Sequence, residues 1–322
     1  MTKPSSNAVS FERPGAALLR RFHAAVKVPR KLVSPVFRGL EHIPDDRPLL
    51  FVGNHVVYSG LDAVVLFDHL LREKGIFLRP LGDHLHFKVP VWGEVLTRFG
   101  VVDGTRENCR ALMQHGECVL VFPGGAREVA KRRGEKYKLL WGNRLGFAKM
   151  AIENGCTVVP YATVGGEEMF DILVDGDDLL ASPLGKVVTK LDLRQDALVP
   201  LVKGVGPTPI PRPERFYYQF EPPIRVDRFR GEASEANARE VRDRTKAAVE
   251  HAIAELLELQ ANDPTRRLAS RMDELLPEPA RTLARDVAGF ADEAAKAGRR
   301  ALAPGARTAR APSRKGTGAN RG

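Results

Sequence analysis

Between residues 48 and 163 the apolar positions alternate between two periods. Pro48 to Val52, Ile76 to Leu81, Cys118 to Phe122 and Thr157 to Thr163 are short apolar runs, the pattern of buried strands. Between them, Leu61 to Glu73, Val89 to Phe99 and Leu145 to Asn154 carry apolar residues at helical spacing. Pro90 suits the first turn of the second helix, and Gly155 suits the end of the third. Thr105 can cap a further helix that runs through Gln114, with Leu112 and Met113 inward. Strands that alternate with helices predict an α/β fold: a central mixed, mostly parallel sheet flanked by helices.

The two ends depart from this rhythm. Residues 16–40 mix Leu18, Leu19, Phe22, Ala25 and Val26 with Arg20, Arg21, Lys27, Arg30 and Lys31, a basic amphipathic segment that Pro29 and Pro35 are expected to interrupt. Such a helix can lie in a membrane interface, or pack on the domain with its charges outward. Beyond Val164 the pattern loosens through prolines, glycines and acids, with apolar stretches at 187–191 and 197–202. Phe216 to Phe220 is an aromatic strand. Glu235 to Gln260 is a long helix with Ala238, Val241, Val249, Ile253 and Leu256 on one face. Another helix is expected from Pro279 to about Ala297. The organisation expected is therefore a basic amphipathic segment (1–37), a main domain (38–260), a helical extension (261–300) and a basic disordered tail (301–322).

Composition narrows the class. The chain has 322 residues, 43% of them hydrophobic, enough for one large core. Its net charge of +10 suggests an anionic partner. Much of that surplus lies after Glu293, where no acid follows, so it is a property of the tail. No basic-aromatic reading surface accompanies it, and no specific nucleic-acid partner is expected. The three cysteines form no Cys-x-x-Cys pair and fit buried thiols of a reducing compartment. No signal peptide and no transmembrane helix is expected.

The chemistry concentrates in two places. Gly53-Asn54-His55 follows the first strand, where a neutral imidazole can take a hydroxyl proton near pH 7. Asp62 could orient it, provided a turn near Ser59-Gly60 brings the two together; in one continuous helix they would stand ~10 Å apart. Val121-Phe-Pro-Gly-Gly-Ala-Arg-Glu128 follows another strand and delivers Arg127 and Glu128 to the strand end, where open α/β sheets place ligands. His84 and His86 alternate but lack further ligands at a zinc spacing, so no metal is expected. Gly-x-Ser-x-Gly and Gly-x-Gly-x-x-Gly are both absent, which argues against a serine hydrolase and a dinucleotide cofactor.

Four blocks in order carry a resemblance. Asn54-His55, Gly100-Val-Val-Asp-Gly-Thr-Arg106, Phe122-Pro-Gly-Gly-Ala-Arg-Glu128 with Gly134-Glu-Lys-Tyr-Lys-Leu139, and Val158-Val-Pro160 with Gly165 make the chain resemble the glycerolipid (phospholipid/glycerol) acyltransferases. It looks closest to the diacylglycerol acyltransferase-like branch that includes phytyl ester synthases. The resemblance covers roughly residues 38–260 and implies metal-free, cofactor-free acyl transfer from a thioester. The donor would be acyl-CoA or acyl-ACP and the acceptor a lipid hydroxyl. The protein would lie peripherally on the cytoplasmic side of a membrane. His55 and Asp62 would be catalytic; Arg106, Gly124, Gly125, Arg127 and Glu128 would bind substrate. Gly124-Gly125 amides are candidate oxyanion donors, and Arg127 would hold donor phosphates or order Glu128.

Two departures bear on the acceptor and the base. Six residues separate His55 from Asp62, where the family usually has four. The family's phosphate-acceptor form of the third block is Phe-Pro-Glu-Gly-Thr-Arg-Ser; here Gly124, Ala126 and Glu128 replace the Glu, Thr and Ser. An acid there would repel a phosphate, so the expected acceptor is neutral: diacylglycerol or a long-chain alcohol. A lysophosphatidate-type acyltransferase and a non-catalytic membrane-binding protein of the same fold are the alternatives.

Overall fold

A computed structural model describes residues 9–56, 60–183 and 198–275. Its centre is β2 (Leu49–Val52), whose four side chains are all fully buried. Leu50 and Val52 enter one core and Leu49 and Phe51 the other, which is why the strand reads as an unbroken apolar run. β5 (Cys118–Val121) and β6 (Thr157–Val164) pair with it on either side, both parallel. Beyond β5 lie β3 (Leu78–Gly82) and, at the margin, β4 (Val102–Asp103), again parallel. On the other side β9 (Tyr217–Phe220) runs antiparallel to β6, and β1 (Val36–Arg38) runs parallel to β9. The sheet of seven strands has the order β1-β9-β6-β2-β5-β3-β4. It is mixed and mostly parallel, as the alternating pattern predicts.

Helices cover both faces. α5 (Arg106–Gln114), α7 (Gly146–Glu153) and the long α9 (Glu235–Asn262) contribute to one core. α1 (Ala16–Val33) and α2 (Leu61–Lys74) contribute to the other. Thr105 caps α5 as its sequence predicts, accepting the Asn108 N–H. Gly155, at φ +60°, follows the end of α7.

Four expectations change. α1 does not break at Pro29; it continues to Val33 and ends at Ser34, which adopts φ +38° just before Pro35. Burial of Val33 and the Arg30–Asp68 ion pair (2.9 Å) hold the last turn against the local cost of the proline. β1 straddles the expected 37/38 boundary, so the N-terminal segment is part of the sheet; three residues beside a proline are too few to show a strand period. The helix expected over 89–99 is the shorter α4 (Trp92–Arg98), and a separate helix that was not expected, α3 (His84–Lys88), precedes it because the Asp83 carboxylate caps a start there. The apolar stretch at 197–202 ends in β8 (Leu201–Lys203), which pairs with β7 (Asp171–Val174) in a separate two-stranded sheet.

The short helices α6 (Ala126–Val129) and α8 (Gly176–Ala181) lie in the connections. The compact unit runs to Ser270, beyond the expected end at residue 260. A further helix, α10 (Leu268–Leu275), closes the described chain. The stretch at 187–191, the helix expected over 279–297 and the tail lie outside the described residues. Among the described residues no helix is long and apolar enough to cross a membrane.

Candidate active site

Three adjacent strands deliver the site. Asn54-His55 follows β2, the octet ends β5, and Gly165 follows β6, all at the carboxyl edge where open α/β sheets bind ligands. Asn54 fixes the exit from β2. Its side-chain amide donates to the Thr163 carbonyl and accepts from the Thr163 N–H, both at 2.9 Å. The side chain thus stands in for one more rung of the β2–β6 ladder, and it is fully buried. Gly53 is fixed by space: a Cβ there would come within 2.5 Å of the Tyr161 ring.

His55 follows directly. Its ring stacks on Phe122, with centroids 3.9 Å apart and planes within 7°. Its backbone N–H donates to a Glu128 Oε at 2.9 Å, and its carbonyl accepts from Lys131 Nζ at 3.3 Å. Burial, the Lys131 charge and His86 hold its pKa down at about 3. The imidazole is therefore neutral throughout the physiological range, and the same burial disfavours the imidazolium.

The pairing with Asp62 is not formed. His55 Nδ1 makes no hydrogen bond to a described residue. Asp62 lies in the first turn of α2, buried, where its carboxylate accepts the Gly60 N–H at 3.2 Å and its carbonyl accepts the Tyr218 hydroxyl. With α2 starting at Leu61, Asp62 sits in its first turn, and the bonds shown for it run to Gly60 and Tyr218. The intervening residues 57–59, with the expected Ser59 turn, lie outside the described residues.

Glu128 also differs from expectation. It is fully buried, and its two oxygens accept the backbone N–H groups of His55 and Leu140, each at 2.9 Å. Burial raises its pKa, against the opposing pull of Lys131 and those two amides. It is buried and holds the main chain of His55. The reason for Gly124 is then steric: a Cβ at that position would sit 2.1 Å from Glu128 Cδ. The carboxylate of residue 128 fills the space into which a side chain at 124 would grow. Gly124 and Glu128 are thus sterically linked in this chain.

Beneath His55 lies a buried ion pair that the sequence reading missed. Lys131 Nζ donates to Glu167 Oε1 and to the His55 carbonyl, with both side chains of the pair 1% exposed. The other Glu167 oxygen accepts the Tyr137 N–H at 2.8 Å. The available signals were Lys131 three residues after Glu128, and Glu167 just after Gly165-Gly166.

Four further arginines around the octet are engaged, while Lys136 and Lys138 are exposed with no ion pair among the described residues. Arg127 donates to Glu135 at 2.6 Å and to the Ala130 carbonyl; it does not order Glu128. Arg132 pairs with Asp177 at 2.6 Å and Arg133 with Asp178 at 2.5 Å. Arg144 clasps the turn itself through the Pro123 and Gly124 carbonyls, at 2.8 and 2.5 Å. The Gly125 N–H is bonded to the Phe122 carbonyl at 2.9 Å, so it is not an oxyanion donor. The Gly124 N–H makes no hydrogen bond among the described residues and keeps that capacity.

Arg106 stands apart. It is the exposed first residue of α5, after β4, with β5 and β3 between its strand and β2. No ion pair engages it among the described residues. His84 and His86 are exposed on α3. The described His and carboxylate side chains at metal-ligand spacing are Glu221, His251 and Glu255. Gln219 Nε2 donates to both carboxylates, which accounts for their proximity without an ion.

Residues 34–164 match the family model Acyltransferase. The chain is 34% identical over 257 residues to phytyl ester synthase 1, chloroplastic, of Arabidopsis thaliana, covering 74% of this chain and 36% of that protein. It is 33% identical over 132 residues to the DGAT1/2-independent enzyme synthesizing storage lipids of Homo sapiens, covering 41% of this chain and 40% of that protein. It thus spans a little over a third of the length of these curated relatives. Among solved structures it resembles the 1-acyl-sn-glycerophosphate acyltransferase PlsC from Thermotoga maritima, at TM-score 0.43 and 18% identity over 74% of this chain and 80% of that one.

Proposed function

This chain belongs to the acyltransferase family, and we propose that it moves a fatty acyl group from acyl-CoA or acyl-ACP to a neutral lipid hydroxyl at a membrane surface. The observation that carries this reading is the neutral His55 held at the carboxyl end of β2 by Glu128 and Lys131. In the reaction, His55 takes the proton of the acceptor hydroxyl as that oxygen attacks the thioester carbonyl. The tetrahedral intermediate collapses, the C–S bond breaks, and the thiolate takes the proton back from the imidazolium. The Gly124 N–H is the candidate oxyanion donor.

The neutral acceptor no longer rests on repulsion by Glu128, which is buried. It rests on the cations of the octet and its neighbourhood, Arg127, Lys131, Arg132 and Arg133, each paired with a carboxylate. None of these four is left for an acceptor phosphate; the unpaired Lys136 and Lys138 of the same segment are exposed to solvent. The names of the relatives, phytyl ester synthase and a storage-lipid enzyme, support the same direction. Arg106, with no ion pair among the described residues, is the cation that suits the phosphates of the donor. The same residue is what favours the second reading, lysophosphatidate as acceptor.

The test offers purified protein labelled acyl-CoA with diacylglycerol, a long-chain alcohol and lysophosphatidate side by side. Transfer to one of the first two is expected. His55→Ala should lower turnover by about 10²–10⁴-fold with an unchanged circular dichroism spectrum. Preference for lysophosphatidate overturns the acceptor assignment; wild-type turnover in His55→Ala overturns the base.

A further inference from the structure

The apolar stripe of α1 is only partly spent on the protein itself: Val26 and Val33 are buried and Phe22 packs on Phe67 and Phe99, while Val28 and Leu32 are exposed. Exposed apolar surface lies also on β7 and β8, and on α3 and α4 it is the part that carries a tryptophan. Leu85, Val89, Val91, Trp92 and Val95 are 48, 51, 71, 47 and 38% exposed within eleven residues. Val91 is a β-branched residue at φ +66° on the tip between the two helices, a conformation that such residues rarely adopt. Strain of this kind is retained where a site uses it. The hairpin leaves the carboxyl end of β3, the same edge of the sheet that carries His55.

α1 supplies the charge. It carries five cations and no acid. Lys27, Arg30 and Lys31 line a groove of about 290 Å³ with Ser34, Arg72 and Arg215. Arg30 and Arg72 share Asp68, and Arg215 pairs with Asp263. Lys27 and Lys31 have no carboxylate partner among the described residues. Arg215 lies just before β9, whose Tyr217 pairs with Val164 at the carboxyl end of β6, so this flank of the groove also lies toward the edge that bears the site.

We propose that this edge docks on an anionic lipid bilayer: the α3–α4 tip enters the interface, and the α1 groove holds the phosphate of a lipid headgroup. An apolar wedge with an interfacial tryptophan and a basic groove, both toward one edge of the sheet, make up the composition that such a surface selects. The inference rests on the reading of the acceptor as a lipid, since docking brings that acceptor to His55.

The two tryptophans make it measurable. Trp141 is fully buried and Trp92 is 47% exposed, so Trp92 reports contact. Vesicles of phosphatidylglycerol mixed with phosphatidylcholine should shift its emission to the blue, and brominated lipid should quench it. Trp141→Phe should keep the response and Trp92→Phe should lose it. Leu85→Ser with Val91→Asn should weaken vesicle affinity at least tenfold. Lys27→Gln with Lys31→Gln should reduce affinity to that for phosphatidylcholine alone, while inorganic phosphate should compete only with the anionic arm. Unchanged Trp92 emission, or both double variants binding as wild type does, overturns the proposal. Turnover is read separately on a detergent-dispersed acceptor. Insertion without any turnover overturns acyl transfer and leaves docking standing; turnover without insertion does the reverse.

Discussion

The middle of the sheet and its β3–β4 margin are built on opposite rules. At the ends of β2, β5 and β6 charged groups are engaged: the buried Glu128 by two amides, the buried Lys131 by Glu167, and the half-buried Arg127 by Glu135. At the margin Arg106 and Lys88 are exposed, and the apolar residues of α3 and α4 face outward. The four sequence blocks are therefore not equivalent. Three lie at the adjoining ends of β2, β5 and β6, while the block at 100–106 is separated from β2 by β5 and β3.

The comparison breaks first at its most buried point. Lys131→Met leaves Glu167 as an unpaired buried carboxylate and should destabilise the fold by about 3–5 kcal/mol, read from urea unfolding. A loss no larger than that of a surface substitution would mean that the pair is not buried as described.

Glu128→Gln should cost about 1–3 kcal/mol, because one of two buried amides then faces an NH₂ group. It should lower kcat with KM little changed, since it acts through the position of His55. The reciprocal exchange sharpens this: Gly124→Glu with Glu128→Gly should recover activity that Glu128→Gly alone loses. Gly124→Ala alone should be poorly tolerated, because its Cβ meets Glu128. An inactive double variant with a native fold would separate the two positions.

Acid should weaken the protein before ordinary carboxylates titrate. His55 is held at about 3 and His69 at about 4, both chiefly by burial, below the usual 6.5. The unfolded chain then binds more protons than the native one between those values, so stability falls as pH drops. The contribution is complete above about pH 6.5 and is lost progressively down to about 4 for His69. Urea midpoints at pH 7.5, 6 and 5 should decline, and His69→Phe, which keeps the stacking on Phe37, should flatten the slope.

At the margin the effect on the fold should be smallest. Arg106→Ala should change stability by no more than about 0.5 kcal/mol. A raised KM for the thioester donor with kcat unchanged is expected; an unchanged KM would remove Arg106 from the donor site.

Local chemistry determined much of this in advance. Unbroken apolar runs mark strands buried on both faces, and Leu49–Val52 and Thr157–Val164 are legible because both faces of those strands are covered. The Thr105 cap and the Pro-Gly-Gly turn are likewise properties of neighbouring residues. The candidate base was legible too, as a histidine just past a strand. Partners distant in sequence were not. Asn54 meets Thr163 across 109 positions and Glu128 meets His55 across 73, contacts that only the side-by-side ends of β2, β5 and β6 create. The same holds for the roles reversed here. Asp62 belongs to its helix, α1 continues through Pro29, and Glu128 faces inward, because burial and long-range pairing outweigh the preferences a residue shows beside its chain neighbours.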